Sequence, residues 1–252
     1  MLRDMHPIKF ECPGLGALHV MGENLNDGHD FVVRSNAESN IIDYLYFLDS
    51  RGISRCFEDS LAEMLIGRAL QTGKTYLLIC RPLELTIWAT LIGFLALNQI
   101  KPVNIITNMG FVDFTPKKDL ILQDVVRQVD SVVGKGVANS CFAENYVCTG
   151  GDVIPLYTNT YDQSYNLAIE AIAKLHNMVI LNTPQTDPQI KICRSRPSTF
   201  FSAQLEANRF NRMIRGAEIV APPIFDESLT YDAVHFTRRG NELNFNMLRP
   251  YL

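Results

Sequence analysis

From residue 50 onward the chain alternates short apolar runs with amphipathic stretches, the order expected of a parallel sheet covered by helices. Residues 41–48 predict a helix that stops at Arg51-Gly52, glycine being usual just past a helix C-terminus. A short strand is expected over 53–57, a helix over 61–70 ended by Gly73, and a strand over 75–80 closed by Pro82. An apolar helix over 83–99 then leads through Lys101-Pro102 into a strand at 103–107. In 119–133 the residues Leu120, Leu122, Val125, Val126, Val129 and Val133 lie mainly on one helical face. Residues 134–162, punctuated by Gly134, Gly136, Gly150 and Gly151, are expected to form substrate-contacting loops. A helix over 165–175 and a strand over 178–182 follow. Ala203, Ala207, Phe210 and Ile214 mark a helix closed by Gly216, then a strand over 217–221 and a last helix capped by Thr237. The first 50 residues, broken by Gly14, Gly16, Gly22 and Gly28, read as an extension or hairpin packed on a core of residues 51–252.

Composition narrows the function. In 252 residues, 47% are hydrophobic and 20% charged, which excludes a disordered chain. Lys and Arg total 23 against 27 Asp and Glu, so the basic excess that a nucleic-acid partner demands is absent. The apolar run over 85–97 is short of the ~20 residues that span a bilayer, and no membrane partner is expected. Cysteines at 12, 56, 80, 141, 148 and 193 show neither C-x-x-C spacing nor a disulfide framework. With an N-terminus unlike a signal peptide, they read as reduced thiols of a cytoplasmic protein. No G-x-G-x-x-G or Walker pattern calls for a nucleotide, no cofactor is implied, and Asp27-Gly28-His29-Asp30 reads as a turn rather than a metal site.

Three patterns could carry chemistry. In Asp232-Ala233-Val234-His235, just before the last helix, a carboxylate three residues ahead of a histidine can hold one ring nitrogen while the other faces a nucleophile. In Phe57-Glu58-Asp59-Ser60-Leu61, a serine lies where a strand is expected to meet a helix, so its amide could stabilise an oxyanion. The same residues, as Ser60-Leu61-Ala62-Glu63, also match a capping box in which Ser60 only caps the helix. At the carboxyl end of the strand over 103–107, Asn108 and Gly110 are positioned to offer hydrogen-bond donors, because open α/β sheets bind ligands at that edge.

Taken together, these motifs stand in the order of the SGNH (GDSL-like) hydrolase family, which residues 51–252 resemble. Glu58-Asp59-Ser60-Leu61 keeps three letters of the family's G-D-S-L motif, and Asp232 and His235 match its closing D-x-x-H motif. The resemblance implies a three-layer α/β sandwich with a mostly parallel, flavodoxin-like sheet. It implies Ser60 as nucleophile, His235 as general base and then acid, and Asp232 as the group orienting His235. Gly110, Asn108 and Arg81 are the expected oxyanion or substrate donors. The family's glycine after the second strand has no counterpart at Cys80-Arg81-Pro82, and Val112 stands where its oxyanion asparagine would be. The function so implied is hydrolysis of a small acyl ester, for example a carbohydrate O-acetyl group. The alternatives are an O-acyltransferase or a non-catalytic ligand- or partner-binding protein.

Overall fold

The computed structural model describes residues 8–12, 16–20, 25–26, 32–39, 41–53, 58–81, 91, 94–95, 98, 100–101, 103–111, 117–118, 148–149, 152–153, 163–187, 189–190 and 198–252. Its strands are β1 (Ile8–Cys12), β2 (Gly16–Val20), β3 (Leu25–Asn26), β4 (Val32–Ser35), β5 (Tyr44–Asp49), β6 (Tyr76–Arg81), β7 (Asn104–Thr107), β8 (Lys117–Lys118), β9 (Cys148–Thr149), β10 (Asp152–Val153), β11 (Asn177–Leu181) and β12 (Glu218–Val220). The long helices are α1 (Leu61–Gln71), α2 (Gln163–Leu175), α3 (Ser198–Arg212) and α4 (Arg238–Leu248).

Seven strands form one sheet in the order β12-β11-β7-β5-β6-β4-β3. The pairs from β12 to β6 are parallel, while β4 and β3 add an antiparallel edge. Among the parallel strands, the second in the chain lies outside the first and the third lies on its other side. The chain therefore leaves β5 in opposite directions, and in open α/β sheets the carboxyl ends of strands that diverge in this way, here β5 and β7, are where ligands bind. This is the mostly parallel α/β sandwich that the alternating pattern and the resemblance led us to expect.

Every residue of β5 is buried. Tyr44, Tyr46 and Leu48 join Leu61, Leu65 and Ala69 of α1 and Leu248 of α4 in one core cluster. On the opposite face Phe47 meets Phe94, one of the helical residues at 91, 94, 95 and 98, with ring centroids 6.1 Å apart. A strand covered on both faces loses polar alternation and becomes a continuous apolar run. That is why the stretch 41–48 predicts a helix although residues 44–49 form the central strand. The strand expected over 53–57 is displaced in turn: Ser50–Gly52 is a 3₁₀ turn, Ile53 continues it, and 54–57 lie outside the described residues.

The boundary expected at residue 50 also falls. β3, β4 and β5 belong to the seven-stranded sheet, and β5 lies between β6 and β7. Before residue 25, β1 and β2 pair with each other as a separate two-stranded sheet. The expected helix over 119–133 and nearly all of the loop region over 134–162 lie outside the described residues. No described helix is long and apolar enough to cross a membrane.

Where α4 starts, the chain packs too closely for a side chain. A Cβ on Gly240 would lie 2.1 Å from the Leu229 carbonyl oxygen and 3.2 Å from Phe225. The obstacle is backbone and cannot rotate away. Gly240→Ala is expected to cost about 1–3 kcal/mol or more in urea unfolding; unchanged stability would contradict this packing.

Candidate active site

Ser50 is the first residue beyond β5 and opens the 3₁₀ turn Ser50–Gly52. Asp49 caps that turn by accepting from the Arg51 N–H at 2.9 Å. Close approach is needed here, because a Cβ on Gly52 would lie 2.7 Å from Leu48. The Asp49 carboxylate and the Arg51 guanidinium are both buried, with Nε–Oδ2 2.8 Å and Nη2–Oδ2 2.5 Å. Arg51 Nη1 donates to Thr183 Oγ1 at 2.6 Å, Nη2 donates also to the Asn108 carbonyl, and Cζ lies 5.3 Å from the Phe111 ring centre. This one ion pair thus reaches the segments after β5, β7 and β11.

The second half of the site is the turn 229–237. Leu229 O accepts from Thr237 N at 3.0 Å, and His235 O accepts from Thr230 Oγ1 at 2.7 Å and from Tyr231 N at 3.3 Å. Within it, Asp232 Oδ1 accepts the Val234 and His235 N–H groups at 2.9 and 2.7 Å. The remaining oxygen, Oδ2, lies 2.9 Å from His235 Nδ1, and the far ring nitrogen, Nε2, lies 3.3 Å from Ser50 Oγ. The Tyr231 ring stacks on the imidazole at 5.9 Å and 14°. Burial pushes the Asp232 carboxyl up, but the ring and backbone N–H groups of His235, the charge of His235 and the Val234 N–H outweigh it. The carboxyl is therefore held well below the usual range and stays ionised beside the imidazole.

Asp232 and His235 come together as the D-x-x-H pattern led us to expect, but the hydroxyl they face is Ser50 and not Ser60. Ser60 is fully buried, and its Oγ accepts from Glu63 N at 3.2 Å as the cap of α1. Glu63 in turn accepts from Asp59 N at 2.6 Å, one residue before the cap, so this serine serves as the helix cap in a near variant of the capping box. Asn108 is 2% exposed, and its amide is turned toward Asp49, accepting from Asp49 N at 2.9 Å and donating to Asp49 Oδ1 at 3.1 Å. That fastening of β5 to the end of β7 takes it away from the expected donor role. Gly110 lies just past β7 with φ +114°, and a Cβ there would meet the Asn211 amide at 3.0 Å. Arg81 ends β6 opposite Asp49, its side chain outside the described residues. Val112 and residues 27–30 lie outside them as well.

Sequence reasoning missed Ser50 because its apolar run read as a helix. The available signal was the Asp-Ser pair itself, which occurs at 49–50, 59–60 and 130–131, the first of them closing the buried strand β5. It also missed a polar stripe on α3. Gln204, Asn208 and Asn211, spaced i, i+4, i+7, are all buried. Asn208 accepts from Thr183 N at 2.9 Å and donates to Thr183 O at 2.8 Å, and Asn211 donates to Met109 O at 3.2 Å. Gln204 also lines an open cleft of about 310 Å³ with Phe201, Leu205 and Ile224. Among the described residues, no group of three or more His, Cys, Asp or Glu side chains is placed to hold a metal ion.

No family model matches the chain, and no curated protein matches it. Among solved structures it is similar to an acetyl xylan esterase, Est2A, from the rumen bacterium Butyrivibrio proteoclasticus, at 10% identity and TM-score 0.38 over 84% of this chain and 63% of that one. It is also similar to Est1E from Butyrivibrio proteoclasticus, at 9% identity and TM-score 0.35 over 97% and 98% of the two chains. The chain thus spans under two thirds of the length of the Est2A chain.

The lowered Asp232 pKa makes a prediction with a definite sign. Its stabilisation is present above the unfolded value of about 3.9 and is lost as pH falls from there through the folded value. Asp232→Asn is expected to be less stable than wild type at pH 7 by about 1–2 kcal/mol, with the gap beginning to narrow at pH 3. Urea unfolding at both pH values checks this; equal stability at pH 7 contradicts it.

Proposed function

We propose that this protein is a serine hydrolase that cleaves a small acyl ester, with Ser50 as nucleophile, His235 as proton carrier and Asp232 as the group that orients and charges against His235. The observation that carries the reading is the continuous line from Asp232 Oδ2 through the His235 ring to Ser50 Oγ, with steps of 2.9 and 3.3 Å. A histidine held on one nitrogen by an ionised carboxylate has its other nitrogen free to take a hydroxyl proton.

In this mechanism Ser50 Oγ attacks the ester carbonyl carbon while its proton passes to His235 Nε2. The carbonyl π pair moves onto oxygen, and the imidazolium is stabilised by Asp232. Collapse of the tetrahedral intermediate expels the alcohol, which takes the proton from Nε2 and leaves Ser50 acylated. Water then repeats the sequence, giving up a proton to His235 and releasing the carboxylic acid and free Ser50. Backbone N–H groups at the start of a helical turn have no partner within that turn. The Ser50 amide opens the 3₁₀ turn, and it serves with Gly110 as donor to the oxyanion. A carbohydrate O-acetyl group fits such a site as substrate, and an acyl acceptor other than water would turn the same steps into O-acyl transfer. A non-catalytic binding role is the second reading. It is favoured by the commitment of the Asn108 amide to Asp49, which leaves the site without that side chain as an oxyanion donor.

Turnover of p-nitrophenyl acetate by purified wild type and variants separates the two. Ser50→Ala and His235→Ala are each expected to reduce kcat by at least about 10³-fold. Ser60→Ala is expected to retain turnover and to lose about 1 kcal/mol of stability as a cap deletion. Turnover that survives Ser50→Ala, or none in folded wild type, overturns the hydrolase reading.

A further inference from the structure

The proposed general base stands in a strained turn. Ala233, between Asp232 and Val234, has φ +65° and is buried. A non-glycine residue in that left-handed region is strained and persists only where its surroundings hold it. Asp232 accounts for part of the hold, since its Oδ1 accepts the Val234 and His235 N–H groups. Those bonds lie within the turn and leave its orientation toward Ser50 unset. The Ala233 carbonyl reaches outward instead, accepting from Gln204 Nε2 at 3.0 Å.

Gln204 is well suited to fix that carbonyl. It projects from α3, is 2% exposed, and its Oε1 accepts from Thr186 N at 3.2 Å, in the segment after β11. The amide is thus anchored on the sheet side and donates on the turn side. Its neighbour on the same face, Asn208, grips Thr183, whose hydroxyl accepts from Arg51 beside Ser50. One helical face therefore sets both members of the Ser50–His235 pair relative to the sheet.

We infer that Gln204 is a positioning residue for His235: by holding the Ala233 carbonyl it keeps the turn left-handed at that residue and the imidazole aimed at Ser50. The catalytic consequence rests on the hydrolase reading, but the geometric one does not. Without the donor, the strain at Ala233 favours relaxation of the turn, and His235 moves away from Asp232 and Ser50. A glycine at 233 adopts the same conformation without that strain. It is expected to restore the turn even when the amide is gone, which a Gln204 role limited to general stability would not allow.

The test follows the His235 ring directly. In wild type, proton NMR is expected to show a downfield Nδ1–H signal for the imidazole bonded to Asp232, assigned by its loss in His235→Gln. Gln204→Leu is expected to lose or broaden that signal in a chain that remains folded by circular dichroism, and Gln204→Leu with Ala233→Gly to recover it. Should Gln204→Leu fail to fold, Gln204→Glu serves in its place, because it keeps the acceptor for Thr186 and sets an oxygen against the Ala233 carbonyl. Ester turnover should follow, kcat falling about 10- to 100-fold in the single variant with KM little changed, and recovering in the double. A signal absent from wild type, unchanged in folded Gln204 variants, or unrecovered by Ala233→Gly overturns the inference. NMR changes as expected with no wild-type turnover would uphold the positioning role and defeat the hydrolase reading alone.

Discussion

The buried pair of Asp49 and Arg51 is the constraint on which the rest of this site depends. Two opposite charges removed from water stabilise a fold only when their remaining donors and acceptors are also satisfied. Here they are: Asp49 accepts from the Arg51 backbone and from Asn108, while Arg51 spends its other N–H groups on Thr183 and the Asn108 carbonyl. Each partner lies at the carboxyl end of a different parallel strand. Ser50 sits between the two charged residues in sequence, so the geometry that satisfies the pair also sets where its hydroxyl emerges. Removing either charge would leave the other buried and uncompensated, a loss of about 3–5 kcal/mol for such pairs.

Sheet topology explains why these ends converge. β5 is central, flanked by β7 and β6, and the chain departs from it in opposite directions. The turn carrying Asp232 and His235 arrives from β12 at the far side of the sheet, and Gly240 lets α4 start close against it. On the sheet's carboxyl edge the buried amides of α3 join the segments after β7 and β11 to that turn. A buried amide that is not paired is costly, so such a stripe specifies one arrangement of loops more sharply than apolar contacts would.

Much of this was legible in the chain. The helices α1 to α4 and the strands β6, β7, β11 and β12 follow amphipathic spacing and turn residues closely, and D-x-x-H is a local motif whose two side chains meet within one turn. The central strand was not legible, because a strand whose six residues are all buried loses its polar alternation and has the same look as a buried helix. That single reversal moved the domain boundary to residue 50 and left Ser50 in what read as the end of a helix. Ser60 then matched by letters alone, although the capping-box spacing to Glu63 already described its contacts. Gln204, Asn208 and Asn211 were hidden for another reason. Their partners include backbone atoms as far as 102 residues away in sequence, and no local pattern encodes such a pairing.

Ser50 as nucleophile, with Ser60 a helix cap, is the central claim, and covalent trapping examines it most directly. After reaction of the intact protein with a fluorophosphonate and digestion by trypsin, the two serines fall on different peptides, residues 35–51 and 56–68. The phosphonyl mass is predicted on the first peptide, localised by fragmentation to Ser50, and absent after prior His235→Ala substitution. An adduct on Ser60, or folded protein that takes up no label, would contradict it.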